Sequence, residues 1–85
     1  GGKVLWARLR FSPERARWVA QELWHIKQEG QYDADGSYLL RLPYTDHREL
    51  IMDILKHGTH CEVLGPPSLR TVVADEVRKL TEKYS

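Results

Sequence analysis

Residues 3–14 read KVLWARLRFSPE, and the register of this stretch decides the fold. From Lys3 to Phe11 the chain alternates: Leu5, Ala7, Leu9 and Phe11 fall on one side, Val4, Trp6, Arg8 and Arg10 on the other. A period of two over that length predicts a strand with one face buried. Ser12-Pro13-Glu14 then switches the period. A serine in the N-cap position, a proline at the first helical position and an acid in the first turn are helix-start signals. Ala16, Val19, Ala20 and Leu23 follow at helical spacing, which predicts a first helix running to about Trp24.

Outward from this unit, His25 to Tyr32 is more polar and reads as an edge strand. Asp33-Ala34-Asp35-Gly36-Ser37 is turn chemistry, with Gly36 free to take a positive φ. Tyr38 to Tyr44 alternates again, Leu40 and Leu42 against Leu39 and Arg41, so the two strands make a hairpin. Asp46 and Glu49 form a capping box ahead of Leu50, Ile51, Ile54 and Leu55, and Gly58 ends that helix. His60 to Leu64 is a short strand with Cys61 and Val63 inward. Gly65-Pro66-Pro67 breaks the chain, and Ser68 is expected to cap a last helix carrying Leu69, Val72, Val73, Val77 and Leu80.

The predicted fold is α+β: a ferredoxin-like βαββαβ (split βαβ) sandwich with a four-stranded antiparallel sheet, plus a C-terminal helix. The first and third strands are central, Leu5, Leu9, Leu40, Leu42 and Val63 face the first two helices, and the other face stays open. Residues 3–85 are expected to be one domain, with Gly1-Gly2 a cloning remnant. At 85 residues a chain buries only about 60% of its unfolded surface, so little is left to wall a deep substrate cavity.

The formal charge is +1, from 13 basic and 12 acidic residues. Net charge therefore selects no partner, and any basic character must come from arrangement on a face. Cys61 is the only cysteine, which excludes an internal disulfide and fits a reducing, cytoplasmic setting. No apolar run approaches the roughly 20 residues that cross a bilayer, so no membrane association is expected.

Several strings sit at fixed points of this fold: Leu9-Arg10-Phe11-Ser12-Pro13-Glu14 between strand and helix, Trp24-His25 opening the second strand, Asp35-Gly36-Ser37 in the hairpin turn, Leu50 in the second helix, and Glu62-Val63-Leu64-Gly65-Pro66-Pro67 before the last helix. In this order they resemble the C-terminal extension (WCX) domain of bacterial WYL-domain transcription regulators. The likeness covers essentially the whole chain after the leading glycines. It implies a parent with an N-terminal helix-turn-helix DNA reader, a middle WYL domain and this extension, the latter two associated with effector sensing, which includes single-stranded nucleic acid in some members, and with dimer assembly. The chain holds neither the DNA reader nor the Trp-Tyr-Leu segment, so operator binding is carried onto no residue here.

By parity the open sheet face should carry Trp6, Arg8, Arg10, Leu39 and Arg41, with His25 and Lys27 from the second strand and His60 from the fourth. A ring beside clustered guanidinium groups can stack bases and neutralise phosphates. Trp6, Arg8, Arg10, Arg41, Lys27 and His25 are therefore the candidate ligand or nucleic-acid contacts. The plainer account is a solvated face, or one covered by another domain. His57 and His60 with Cys61 are weighed as a metal site and set aside, because strand neighbours point to opposite faces. Ser12 and Ser68 read as caps and Cys61 as a buried small hydrophobe, so no catalytic group, metal or cofactor is expected. Two functions from different classes remain: a regulatory ligand-sensing module of a DNA-binding regulator, or a structural module for homodimerisation or interdomain packing.

Overall fold

A computed structural model describes residues 2–85, so Gly1 of the leading glycine pair lies outside the described residues. The elements are β1 (Leu5–Phe11), α1 (Pro13–Val19), β2 (Glu29–Tyr32), β3 (Tyr38–Tyr44), α2 (His47–Leu55), β4 (Cys61–Gly65) and α3 (Pro67–Lys83), with a 3-10 turn at Gly58–His60. The strands lie in the order β2-β3-β1-β4 and every pairing is antiparallel. This is the α+β, ferredoxin-like arrangement read from the alternation, with β1 and β3 central.

The register puts Ala7 opposite Leu42, Leu9 opposite Leu40 and Phe11 opposite Tyr38. Directly opposed residues share a face, and this one is the core: Ala7, Leu9, Phe11, Tyr38, Leu40, Leu42 and Val63 are buried against Ala16 and Val19 of α1, Leu50 and Ile54 of α2, and Leu69 of α3. Leu5, expected inside, is only half-buried because it pairs with Tyr44 at the last rung of the ladder. Gly36 has φ +90° in the hairpin turn and Gly58 has φ +58° after α2, the left-handed region that side chains avoid.

Three local expectations are corrected. First, α1 stops at Val19, not near Trp24, and β2 begins at Glu29, not His25. The Gln28 side chain provides the reason: its Oε1 accepts the backbone N–H groups of Trp24 (2.7 Å) and His25 (3.1 Å), and its Nε2 donates to the Glu22 carbonyl (3.0 Å). This clamp satisfies backbone groups outside any helix and turns Trp24 back onto the core. Second, Ser12 is the N-cap residue of α1, but its hydroxyl makes no cap bond; it pairs with His60 Nδ1 at 2.7 Å. Third, α3 is capped by Pro66, whose carbonyl accepts from Leu69 and Arg70, and Ser68 sits inside the first turn. Asp46 does cap α2, its carboxylate accepting the Arg48 N–H at 3.0 Å, but the expected capping box is not completed: Glu49 makes no hydrogen bond back to Asp46 among the described residues and lines the cleft beside Trp6.

Candidate functional site

Cross-strand pairing lays the open face out in rows. One row runs Glu29, Arg41, Arg8, Gly65, and the next Gln31, Leu39, Arg10, Glu62. Beyond the first, Trp6 stands opposite Pro43. Thus Arg8, Arg10 and Arg41 do share one face with Trp6, as alternation requires. A register irregularity between Arg8 and Leu9 leaves Leu64 as an extra residue on β4 and sets Gly65 against Arg8. Any Cβ at Gly65 would run into the Arg8 guanidinium, which packs close against that backbone.

The electrostatics of the three arginines differ sharply. Arg10 bonds Asp35 at 2.8 Å and lies 3.5 Å from Asp33, both in the hairpin turn. Arg41 faces Glu29 at 3.4 Å. Glu62 is itself held by Arg70 of α3 at 3.2 Å. Arg8 has no carboxylate within ion-pair distance among the described residues, although its direct cross-strand partner is another cation, Arg41. Like charges opposed in this way repel, so Arg8 is the one guanidinium of the three that an incoming anion finds unneutralised. Trp6, 38% exposed, and Leu64 flank it with apolar surface.

His25 and Lys27 are not on this face. They lie in the loop after α1, where His25 Nδ1 accepts the Lys27 N–H at 2.9 Å. The fold nevertheless brings them to Trp6: all three line an open cleft of about 590 Å³ at the end of the sheet, with Trp24 and with Glu49 and Asp53 of α2. Carboxylates on its wall set that cleft against phosphate. The six candidates therefore divide into the sheet-face arginines and a mixed-charge cleft, with Trp6 common to both.

His60 is also off the face, in the 3-10 turn. Ser12 Oγ and the Glu14 carboxylate, at 3.6 Å, both approach its Nδ1. A nucleophile–base–acid relay needs the two partners on opposite ring nitrogens, so this trio is not one. Burial and, secondarily, Glu62 push the Cys61 thiol up to about 12, away from the reactive thiolate range. Among the described residues no three His, Cys, Asp or Glu groups converge as a metal site.

Sequence reasoning missed a buried histidine. His57, 6% exposed, stacks on Trp24 (centroids 5.8 Å, interplanar 18°) and meets Phe11 edge-on at 5.2 Å. Its Nδ1 accepts from Arg15 at 3.3 Å and its Nε2 is buried without a partner. Burial first, then the Arg15 charge, lower its pKa below the usual histidine value. The only sequence signal was its place between an amphipathic helix and a glycine.

These features define an α+β domain built on a split βαβ sandwich, with one charged open sheet face. The chain belongs to the WCX domain family, whose model matches residues 3–81. A comparison with curated proteins gives no match. Among the described residues, no helix is long and apolar enough to cross a membrane.

Proposed function

We propose that this chain is the C-terminal regulatory module of a WYL-type, DNA-binding transcription regulator, non-catalytic, and that it contributes to effector sensing through the open sheet face. The observation that carries the reading is Arg8: an unneutralised guanidinium in the middle of a sheet, opposed by Arg41 and flanked by the exposed ring of Trp6. Such a site receives one anionic group, a phosphate or carboxylate, beside a stacking surface. A single-stranded nucleic acid fits if successive phosphates displace Glu29 and Asp35 from Arg41 and Arg10; a smaller anionic effector needs Arg8 alone. In either case the WYL domain and helix-turn-helix reader of the parent are the downstream partners.

Salt dependence separates these ligands. Each phosphate contact to a single strand contributes a slope of about 0.7 in log affinity against log salt. Titration of the chain with a short single-stranded oligonucleotide at two salt concentrations should give a slope near one contact if Arg8 acts alone, and near three if the whole cluster engages. Arg8→Ala should abolish the response, and a parent carrying Arg8→Ala that stays folded and responds normally to effector removes the ligand reading.

A second reading has its own support. The rows of the face are nearly charge-balanced and interspersed with Trp6, Leu39 and Leu64, which is the composition of a surface that packs on a neighbouring domain. On that reading Trp6→Ala weakens attachment to the parent, and Arg8→Lys, which keeps charge but loses the planar fork, is silent.

A further inference from the structure

A second cavity lies on the helix side of the sandwich, away from the open sheet face. It is open, about 540 Å³ in volume, and lined by Arg15 and Trp18 of α1, Glu22 just beyond that helix, and Lys56 and His57 following α2. That volume falls in the range of about 300–1,000 Å³ that small ligands fill.

One wall holds positive charge that nothing answers. Arg15 is half-buried, with no carboxylate within ion-pair distance among the described residues; it donates to His57 Nδ1 at 3.3 Å. A guanidinium only donates, so Nδ1 is the acceptor and the ring proton sits on Nε2. The imidazole is therefore neutral and sets no negative charge against Arg15. Its Nε2 is in turn buried without a partner, so the wall has donors in excess. Lys56 is taken by Asp53 at 3.7 Å.

The facing charge is equally unanswered. Glu22 lines the same cavity, yet no cation stands within ion-pair distance of its carboxylate among the described residues. Its main chain is fixed, the N–H donating to the Val19 carbonyl at 2.9 Å and the carbonyl accepting from Gln28 Nε2 at 3.0 Å. Between the two charges Trp18 supplies apolar surface, 54% exposed. Opposite charges that share a cavity without meeting complement a ligand that carries both.

We infer that this cavity binds a free α-amino acid with an apolar side chain, its carboxylate accepting from Arg15, its ammonium donating to Glu22 and its side chain lying on Trp18. The Arg15 fork has donors beyond the one spent on His57, enough for both carboxylate oxygens. A plain anion would face Glu22, and a plain cation would face Arg15 and Lys56, so only a zwitterion meets no like charge unanswered. The site shares no residue with the sheet face or the cleft beside Trp6 and does not depend on the proposed function.

Titration of the 85-residue chain with L-phenylalanine, followed at the Trp18 indole N–H and the backbone amides by nitrogen-15 NMR, tests it. So open a site holds its ligand weakly, and saturation with a Kd of about 1 mM is expected. 3-Phenylpropionate and phenethylamine, which each lack one of the two charges, should bind at least about tenfold more weakly. Glu22→Gln, at an exposed position, should weaken L-phenylalanine about tenfold and strengthen 3-phenylpropionate, while Arg15→Gln weakens both. No saturation up to about 20 mM, 3-phenylpropionate binding as tightly as L-phenylalanine, or Glu22→Gln without effect on L-phenylalanine each overturns the inference; the second outcome marks a plain anion site instead.

Discussion

His57 carries a pH dependence whose sign follows from its surroundings. Burial against Trp24 and Phe11 and the neighbouring Arg15 lower its pKa from 6.5. As pH falls below that value the unfolded chain takes up a proton that the folded one refuses. Stability is therefore full above about pH 6.5 and declines as pH falls toward the lowered value, by at most about 1.4 kcal/mol per pH unit for one proton. Urea unfolding at pH 7.5 and at about pH 5.5, above the range where the carboxylates titrate, should show this loss, and His57→Phe should remove most of that difference. Gly30 is a second position with a fixed requirement. Any Cβ there would meet the Tyr38 ring and hydroxyl, which lie across its backbone. Gly30→Ala should cost about 1–3 kcal/mol by overpacking, read as a lowered urea midpoint, and Tyr38→Phe in the same chain should recover part of it.

At the scale of elements, the segment between α1 and β2 is held by one side chain. Gln28 takes two backbone donors and one acceptor, so Gln28→Ala leaves Trp24 and His25 amides without partners. We expect a loss of about 1–3 kcal/mol and faster hydrogen exchange at those two amides, with the sheet amides changed only by the global loss; uniform protection in the variant would show that the clamp is idle. The spacing of Ala16, Val19, Ala20 and Leu23 continues a helix because periodicity registers only which residues are apolar. It has no means of showing that Trp24 gains more by stacking on His57, 33 residues along the chain. The cap of α2 was legible because it is local. Asp46 accepts from Arg48 N–H and Nε, and those bonds hold its carboxyl down at about 2. A carbon-13 titration of Asp46 should find its midpoint near that value, and Arg48→Ala should return it toward 3.8.

For the whole molecule, the sequence by itself determined which residues face the helices and which face out. Alternation along Leu5–Phe11 and Tyr38–Tyr44 leaves one set of faces that buries the apolar side chains, and a slip of one residue would put Arg8 and Arg10 in the core. It also determined the order of the elements, the hairpin turn at Gly36 and the arginine-bearing open face, because each depends on neighbours in the chain. Only the tertiary structure decided what those arginines are worth. Arg10 meets Asp35 because the hairpin turn folds beside the end of β1, and Arg41 meets Glu29 because the β2–β3 register opposes them. Arg8 is left free because its two cross-strand neighbours are an arginine and a glycine. Likewise the apolar stripe of α3 was readable, but its exposure was not. Where a helix leaves the core depends on how far the sandwich beneath it extends, and that is fixed by packing between distant segments rather than by the spacing of residues along one.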